Sequence, residues 1–534
     1  MAKGKRERER AGNRLCLFPF CFLPVFFCAC AGNEQRSVRL IVISPHRDEI
    51  REEVGLAFQD WFRERSEARA AAAGSALQRW LDTARPDDVS SANQAFAQLF
   101  HDWGPAELDG LHEEHRRWQE KPSRERGQTL LTALDRWQER MPGVELAWQD
   151  IGGGTSQIAR YVSARFESQP TGIGIDVLFG GGTDIFLRFA SQGLLQKLDL
   201  PASLFEQRIP SELNGIPLYD RAGGWYGPML SSFGILYNRE VLRRIRQEPP
   251  SHWADLGRAG LYGWVSAGDP RMTGSVHMVY EIILQSQGWE EGFRLLLRLG
   301  ANTHTFIRDS GTLTRTVANG EVAAAGNLDA NALTAVARDP EVMGYQLPAA
   351  ETIINPDAMA VLRGAPHLEL ARAFVEFTLS DAGQLLFLLR PGQPGGPRRY
   401  ALCRLSVVKD LYAQYPPEVR SVGAADPFQA GRTIRYDSKL GNNRWDALND
   451  LLGAVILDAH ADLSAAWKAV MAVTGERRQM LERALFLPIC SQEQLMAHAR
   501  RIAEESPRVR TARVNQWGEL ARQRYRILER SAKD

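Results

Sequence analysis

The sequence predicts an α/β fold, and three observations lead to that prediction. Two apolar, strand-like runs, 143–148 and 172–179, each lead into a triple glycine. A helical pattern follows each glycine turn, with apolar residues spaced three and four positions apart. The order strand, turn and helix therefore occurs twice in succession, which is typical of a parallel α/β unit.

The two glycine turns are also candidate ligand contacts. Glycine lets the backbone approach a ligand closely, and a helix N-terminus offers unpaired N–H groups to an anion. The first turn supplies Gly154, Thr155 and Ser156, and the second supplies Gly181, Gly182 and Thr183. Neither turn fits a P-loop or a dinucleotide fingerprint. They indicate a cleft for a small polar solute, although tight turns alone would explain the glycines equally well.

The first 31 residues have the composition of an export leader. Residues 1–14 are basic and residues 15–31 are an uncharged apolar run, as in a signal peptide. The sequence Phe-Cys-Ala-Cys at 27–30 resembles a bacterial lipobox in which Cys30 carries the lipid, whereas residues 29–31 also fit ordinary cleavage. A periplasmic lipoprotein, a free periplasmic protein and a retained N-terminal anchor all remain open.

The charge balance and the cysteine content narrow the classes of partner. The chain has 534 residues, enough for two or three domains, with 65 Lys/Arg and 64 Asp/Glu. Residues 1–29 hold six Lys/Arg and two Asp/Glu. Without them, 59 Lys/Arg and 62 Asp/Glu remain, which gives a net charge of −3. This near-neutral balance argues against nucleic acid as a partner. Only Cys403 and Cys490 lie outside the leader, so no disulfide framework is implied.

Candidate contacts also follow the first predicted strand, at 39–44. Ser44, His46 and Arg47 stand at the carboxyl end of that strand, where open α/β sheets bind ligands. An amphipathic helix follows, and residues 68–141 then read as three or four packed helices. We expect this helical stretch to be an insertion between the first and second strands.

The second half of the chain supplies the remaining candidates. A long apolar run at 225–238 carries Ser231 and Ser232 at its centre and is expected to cross between two lobes as a hinge. Residues 240–345 read as a second α/β unit. Its helix start at Thr273, Gly274 and Ser275 would point donors at an anion, or would simply cap the helix. Asn327 and Asp329 follow a further strand.

The order of these segments resembles an extracellular solute-binding protein of an ABC importer, in the subgroup related to ferric-ion-binding periplasmic proteins. The segments that carry the resemblance are 44–46, 150–156, 176–182, 234–238, 269–275 and 373–377. The resemblance implies a type II periplasmic-binding-protein fold that closes on its ligand and docks, as a monomer, on a membrane permease. It divides the chain into lobe 1 (36–232, with the insertion), lobe 2 (233–349), a return to lobe 1 (350–400) and a helical C-terminal extension (401–534).

The same resemblance raises the question of iron. Ferric-binding members carry adjacent tyrosines after the second-lobe strand, whereas residues 327–331 here contain none. Fe(III) needs hard oxygen ligands of that kind. A small anionic or polar solute is therefore the predicted ligand, with no cofactor. Ferric ion is the alternative, held with the help of His46 and Asp329.

Two other functional classes compete with transport. An enzyme is disfavoured because the sequence lacks a Gly-x-Ser-x-Gly elbow, a His-Glu-x-x-His motif and a catalytic-cysteine signature. A lipoprotein that senses a solute and passes its closed form to a signalling partner would show the same sequence features. Sequence alone does not separate sensing from import.

Overall fold

The structure is a computed structural model that describes residues 37–152, 154–206, 208–422, 426–429, 433–502 and 504–534. The predicted leader and its Cys30 lie outside these residues. The strands are β1 (Ser37–Ile43), β2 (Gly143–Gln149), β3 (Val177–Phe179), β4 (Glu212–Leu213), β5 (Ile216–Pro217), β6 (Tyr226–Asn238), β7 (Val265–Gly268), β8 (Thr303–Ile307), β9 (Ala324–Leu328), β10 (Met343–Gln346), β11 (Ile354–Val361) and β12 (Leu405–Ser406).

The helices occupy most of the remaining chain. They are α1 (Asp48–Thr83), α2 (Pro86–Phe100), α3 (Leu111–Glu120), α4 (Arg124–Glu139), α5 (Thr155–Ser168), α6 (Thr183–Ser191), α7 (Arg239–Arg244), α8 (Gly274–Gln287), α9 (Trp289–Asn302), α10 (Ser310–Ala318), α11 (Asp329–Arg338), α12 (Leu368–Leu379), α13 (Asp381–Leu388), α14 (Leu411–Gln414), α15 (Ser438–Leu452), α16 (His460–Met471), α17 (Gly475–Leu485), α18 (Gln492–Ile502) and α19 (Pro507–Lys533). Among the described residues, no helix combines the length and the apolar character that crossing a membrane requires.

Strand β6 joins two sheets into one. Its first half pairs with β11 on one side and β12 on the other, and its second half pairs with β9 and β10. The first-half sheet continues through β3, β1 and β2, and the second-half sheet continues through β7 and β8. All of β6 is buried except Tyr237, which is half-buried, and this explains why the run reads as uninterrupted apolar sequence. The predicted hinge strand is therefore a real element with each half in a different sheet.

Separate hydrophobic cores surround the two halves of the sheet. The first includes Phe58 of α1, whose ring lies 5.1 Å from that of Phe374 on α12, together with residues of β1 and β11. The second includes Trp253, Phe293 and residues of α8. Helices α1 to α4 lie between β1 and β2 in the chain and pack on the first core, with Trp80 and Trp118 in edge-on contact at 5.0 Å.

The C-terminal part of the chain divides between the two cores. Residues Leu402, Leu405 and Leu411 belong to the first core, and β12 pairs with β6. Helices from α15 onward add Leu448, Trp467 and Tyr525, among others, to the second core. Within the extension expected from residue 401, the short helix α14 packs on the first core through Leu411, and the helices that pack on the second core begin with α15 at Ser438. We call helices α15 to α19 the C-terminal extension.

Candidate functional site

Helix N-termini from both lobes surround a deep cleft. Helices α5 and α6 begin at the two glycine turns of lobe 1, and α8, α10 and α11 begin at the cleft side of lobe 2. Gly181 has φ +125°, and a Cβ there would lie 2.6 Å from Cγ2 of Thr155. Only glycine satisfies both the backbone angle and the close approach of α5. The cleft encloses about 1360 Å³.

The two lobes touch along this cleft. A Cβ at Gly154 would lie 3.1 Å from Cβ of Thr273, so the first turn of α5 abuts the turn that precedes α8. Arg160 of α5 donates a hydrogen bond to the backbone oxygen of Arg271, 3.0 Å away. The start of α5 and the start of α8 thus face the same enclosed space from opposite lobes, which is the arrangement of a closed clamshell.

A buried ion-pair network forms the lobe 1 wall. Nε2 of His46 lies 3.0 Å from a carboxylate oxygen of Asp357, and Nη2 of Arg404 lies 3.1 Å from the same oxygen. Arg404 also donates to the hydroxyl of Ser231, and the backbone N–H of Gly181 donates to Asp357. His46 Nδ1 and Arg404 Nε are buried without a hydrogen-bond partner among the described residues. Unpartnered buried polar atoms, here an arginine donor and the acceptor nitrogen of a neutral imidazole, are costly unless a ligand satisfies them.

The pKa values of this network favour one charge state. Burial lowers the pKa of His46, outweighing the opposite effect of Asp357. Burial alone would raise the pKa of Asp357, but His46 and Arg404 together hold it well below its usual range. The carboxylate is therefore ionised beside a guanidinium, with a neutral imidazole next to them. Cys403 adopts a left-handed φ of +52°, which lets the chain turn so that Arg404 enters the cleft.

Hydroxyl groups form the lobe 2 wall. Oγ of Ser275 lies 2.9 Å from Oγ of Ser310 and 3.1 Å from Oγ1 of Thr273. Thr314 accepts a hydrogen bond from Asn327, 2.9 Å away. The hydroxyls of Thr273, Ser275 and Ser310 stand at the first turns of α8 and α10, where helix dipoles favour negative charge. This wall therefore offers a cluster of hydroxyl donors.

Asp184, on the first turn of α6, lines the cleft in an unusual state. Its side chain is almost fully buried, and neither carboxylate oxygen accepts a hydrogen bond from another described residue. Burial, aided by the negative charge of Glu281, raises the pKa of Asp184 to about 7. Asp184 therefore holds a proton over much of the acidic and neutral range.

We expect Asp184→Asn to stabilise the protein in a pH-dependent way. The pKa of Asp184 in the folded protein lies above its value near 3.9 in the unfolded chain. Between about pH 4 and 7 the folded protein therefore retains a proton that the unfolded chain has lost. The unfolding free energy of the wild type falls across that pH window as a result. The variant's gain in unfolding free energy should rise from near zero at pH 4 to at most about 4 kcal/mol above pH 7. Urea unfolding from pH 4 to 8.5 measures this. Asp135→Asn, at an exposed position of α4, is the control, and an equal gain at every pH would contradict the account.

Most of the sequence-predicted contacts are brought together in this cleft. The lining includes eleven of them: His46, Arg47, Gly154, Thr155, Ser156, Gly181, Gly182, Ser231, Thr273, Gly274 and Ser275. Five others are buried behind the walls: Ser44, Thr183, Ser232, Asn327 and Asp329. Ser44 accepts from the N–H of His46, and Asp329 accepts from both the N–H and the hydroxyl of Ser232. Ser44 thus holds the lining residue His46 in place, whereas Asp329 and Ser232 hold each other.

Sequence reasoning missed three lining residues that carry much of the chemistry. Asp357 and Arg404 belong to strand β11 and to the turn before β12, and Ser310 begins α10. A lone arginine in the apolar run 401–408 was a signal for a buried, partnered charge. Nothing in the sequence linked it to Asp357, because the two are 47 positions apart.

The residues named for iron do not assemble a metal site. His46 is engaged with Asp357, and Asp329 with Ser232 and Ala330, so neither offers a free pair of ligands. In the described part of the chain, no group of three or more His, Cys, Asp or Glu side chains could hold a metal ion. Cys403 and Cys490 are buried, and neither forms a disulfide with another described residue.

Comparison with known proteins places this geometry in context. Residues 174–388 match the family model of bacterial extracellular solute-binding proteins. Over 155 residues the chain is 30% identical to the phosphoglycerate transport regulatory protein PgtC of Salmonella typhimurium, an alignment that covers 29% of this chain and 38% of that relative. The chain thus spans well under half the length of this curated relative.

Two solved structures share the fold. The periplasmic binding protein AfuA from Actinobacillus pleuropneumoniae, with fructose-6-phosphate bound, has a TM-score of 0.51 and 15% identity over 78% of this chain and 98% of its own. The periplasmic binding protein P5PA has a TM-score of 0.50 and 16% identity over 78% and 99%. The predicted periplasmic-binding-protein fold is confirmed. The matched family and both structures are of binding proteins, not enzymes, as the sequence analysis expected.

Proposed function

We propose that this chain, whose residues 174–388 belong to the bacterial extracellular solute-binding protein family, captures a small anionic solute in its cleft and delivers it to an ABC permease. The solute class that the site favours is an organic phosphate. Binding would shift an open–closed equilibrium of the two lobes, and the permease would recognise the closed form.

The observation that carries this proposal is the meeting of two helix N-termini from opposite lobes. The first turn of α5 and the turn before α8 lie in contact at Gly154 and Thr273. Unpaired N–H groups at both termini, together with the hydroxyls of Ser275 and Ser310, can donate to one anion from two sides. An anion held in this way links the lobes, so its binding energy favours closure.

The guanidinium of Arg404 favours a phosphate over ferric ion as the ligand. Arg404 supplies a fixed positive charge on the lobe 1 wall, and guanidinium groups bind phosphate through charge-assisted hydrogen bonds. Ferric ion would instead need several oxygen anions converging on one point. Two similar proteins agree with this choice, since AfuA holds fructose-6-phosphate and PgtC is named for phosphoglycerate.

A thermal-shift screen tests the proposal. We expect organic phosphates such as fructose 6-phosphate, glucose 6-phosphate or 3-phosphoglycerate to raise the melting temperature, with neutral sugars and Fe(III) giving no shift. The rise follows the logarithm of ligand concentration over its dissociation constant. A shift with Fe(III) that Asp329→Ala abolishes would contradict the choice of ligand and favour the iron alternative.

Matched variants on α8 test where the phosphate group binds. Ser275→Ala removes a hydroxyl from the cleft, whereas Ser286→Ala removes one from the far end of the same helix, where it bonds only Ile283. We expect the first to weaken phosphate-ester binding about fivefold to tenfold and the second to leave it unchanged. Equal effects from the two variants would place the anion elsewhere.

Ligand sensing is the second candidate function, and the name of the relative PgtC, a transport regulatory protein, favours it. The same closed form would then be recognised by a signalling partner instead of a permease. Neighbouring genes for a permease and an ATPase would favour import, and a neighbouring histidine kinase would favour sensing.

Location and assembly complete the proposal. We place the protein outside the cytoplasm, as a monomer without nucleic-acid partners, either free in the periplasm or lipid-anchored through Cys30. Membrane fractionation of the Cys30→Ala variant distinguishes the two, because loss of the lipid would release an anchored protein into the soluble fraction.

A further inference from the structure

We propose that the C-terminal extension completes the ligand cleft, with Trp445 of α15 as the apolar wall for the carbon body of the bound phosphate ester. The inference rests on the proposed function. It names a contact for the carbon body of the ligand, which the anion donors of the two lobes do not provide. It also assigns a role to a helical segment that lies beyond the residues matched by the family model.

Helix α15 is mounted firmly on lobe 2. Arg444 and Glu281 form a fully buried ion pair between α15 and α8, with Nη2 to Oε1 at 2.7 Å. Asn449 of α15 lies 2.8 Å from Nδ1 of His277 on α8. Leu448 and Leu452 belong to the lobe 2 core. The extension is therefore held as part of lobe 2 rather than as a loose tail.

Trp445 lies beside the place where the two helix N-termini meet. One face of its indole stacks on the buried ring of His277, with centroids 3.6 Å apart and planes 24° apart. Its Cη2 lies 3.6 Å from where a Cβ of Gly274 would be, and Cβ of Thr155 lies at the same distance from that point. The indole is half-buried and lines the cleft next to the anion donors.

The size of the cleft leaves room for a ligand larger than the anion. A volume of about 1360 Å³ exceeds what one phosphate group fills and lies above the usual range for small-molecule sites. An aromatic face beside a polar donor cluster suits a solute with a C–H-rich body attached to its charged group, such as a sugar phosphate.

The extension also reaches across the cleft. Helix α15 contacts α6 of lobe 1, and both α15 and α6 line the cleft, through Asn442 and Arg188 among others. Because α15 moves with lobe 2, closure brings Trp445 over the solute at the same time as α8. The indole of Trp445 should thus contribute to ligand binding only in the closed form.

Calorimetric titration of variants with two kinds of probe tests this assignment. The probes are inorganic phosphate, which has only the charged group, and the tightest-binding ester among fructose 6-phosphate, glucose 6-phosphate and 3-phosphoglycerate. Trp445→Ala should weaken ester binding about tenfold and change phosphate binding less than twofold. Trp445→Phe, which keeps an aromatic wall, should recover most of the loss. Trp517→Ala is the matched control, since Trp517 is half-buried against His498 in the same extension but lies outside the cleft lining.

Each other outcome would overturn the inference in a recognisable way. Equal weakening of ester and inorganic phosphate in Trp445→Ala would mean that the indole only supports the anion site. Unchanged binding of both, or wild-type protein that binds inorganic phosphate and no ester, would mean that no carbon body meets Trp445, while the proposed anion site would stand. Wild-type protein that binds neither probe would overturn the proposed function and this inference together.

Discussion

Replacing Arg404 with methionine is expected to weaken phosphate-ester binding about 100-fold and to lower the unfolding free energy by about 3–5 kcal/mol. The guanidinium is almost fully buried, faces the cleft and neutralises Asp357 at 3.1 Å. Its loss removes the fixed positive charge of the lobe 1 wall and leaves a buried carboxylate with a neutral histidine as its main partner. Calorimetry and urea unfolding measure the two effects separately.

A double variant separates the two roles of Arg404. Arg404→Met with Asp357→Asn removes both charges of the pair, so most of the lost stability should return. Binding should remain weak, since the anion still lacks its cation. If the double variant recovered wild-type affinity as well, Arg404 would have only a structural role and the lobe 1 wall would not bind the anion.

Replacing Arg444 with methionine is the second large effect that we expect, with a loss of about 3–5 kcal/mol of unfolding free energy. Glu281 is completely buried, and the guanidinium of Arg444 bonds both of its carboxylate oxygens. The variant leaves that charge unpaired in the seam between α8 and α15. Chemical unfolding followed by tryptophan fluorescence gives the change, and limited proteolysis should show earlier cleavage within the C-terminal extension.

The control for Arg444 is an exposed pair within the same extension. Arg526 of α19 bonds Asp462 of α16 at 3.1 Å, with the arginine side chain 56% exposed. Arg526→Met should leave the unfolding free energy nearly unchanged, because water screens such pairs. Similar losses from Arg444→Met and Arg526→Met would show that burial of the Glu281 pair does not hold the extension to lobe 2.

The strands were predictable where burial is uniform along the run. The sequence placed a strand at 225–238 and the structure has one at Tyr226–Asn238, because both faces of that strand are covered. The predicted strand at 172–179 shortens to Val177–Phe179. Gly174 takes a φ of +74° there, and Asp176 accepts hydrogen bonds from the N–H groups of Ile41 and His367. These long-range contacts override the local alternation.

The site was predictable only in its local parts. Helix starts with glycine, serine or threonine, such as Gly154 and Thr155, have a local signature, and the cleft contains them. Thr183 has the same signature but is buried behind the wall. The wall of Asp357 and Arg404, and the insertion of Trp445 beside α8, depend on contacts between distant segments. No periodicity or spacing in the sequence encodes such contacts.

A crystal structure of the protein with its tightest phosphate ester tests the central claim most directly. The account predicts the phosphate group in the cleft, accepting hydrogen bonds from the first turns of both α5 and α8, with the guanidinium of Arg404 on its lobe 1 side. A phosphate bound outside the cleft, or bound by one lobe with no contact to the other, would contradict the claim that an anion holds the two lobes closed.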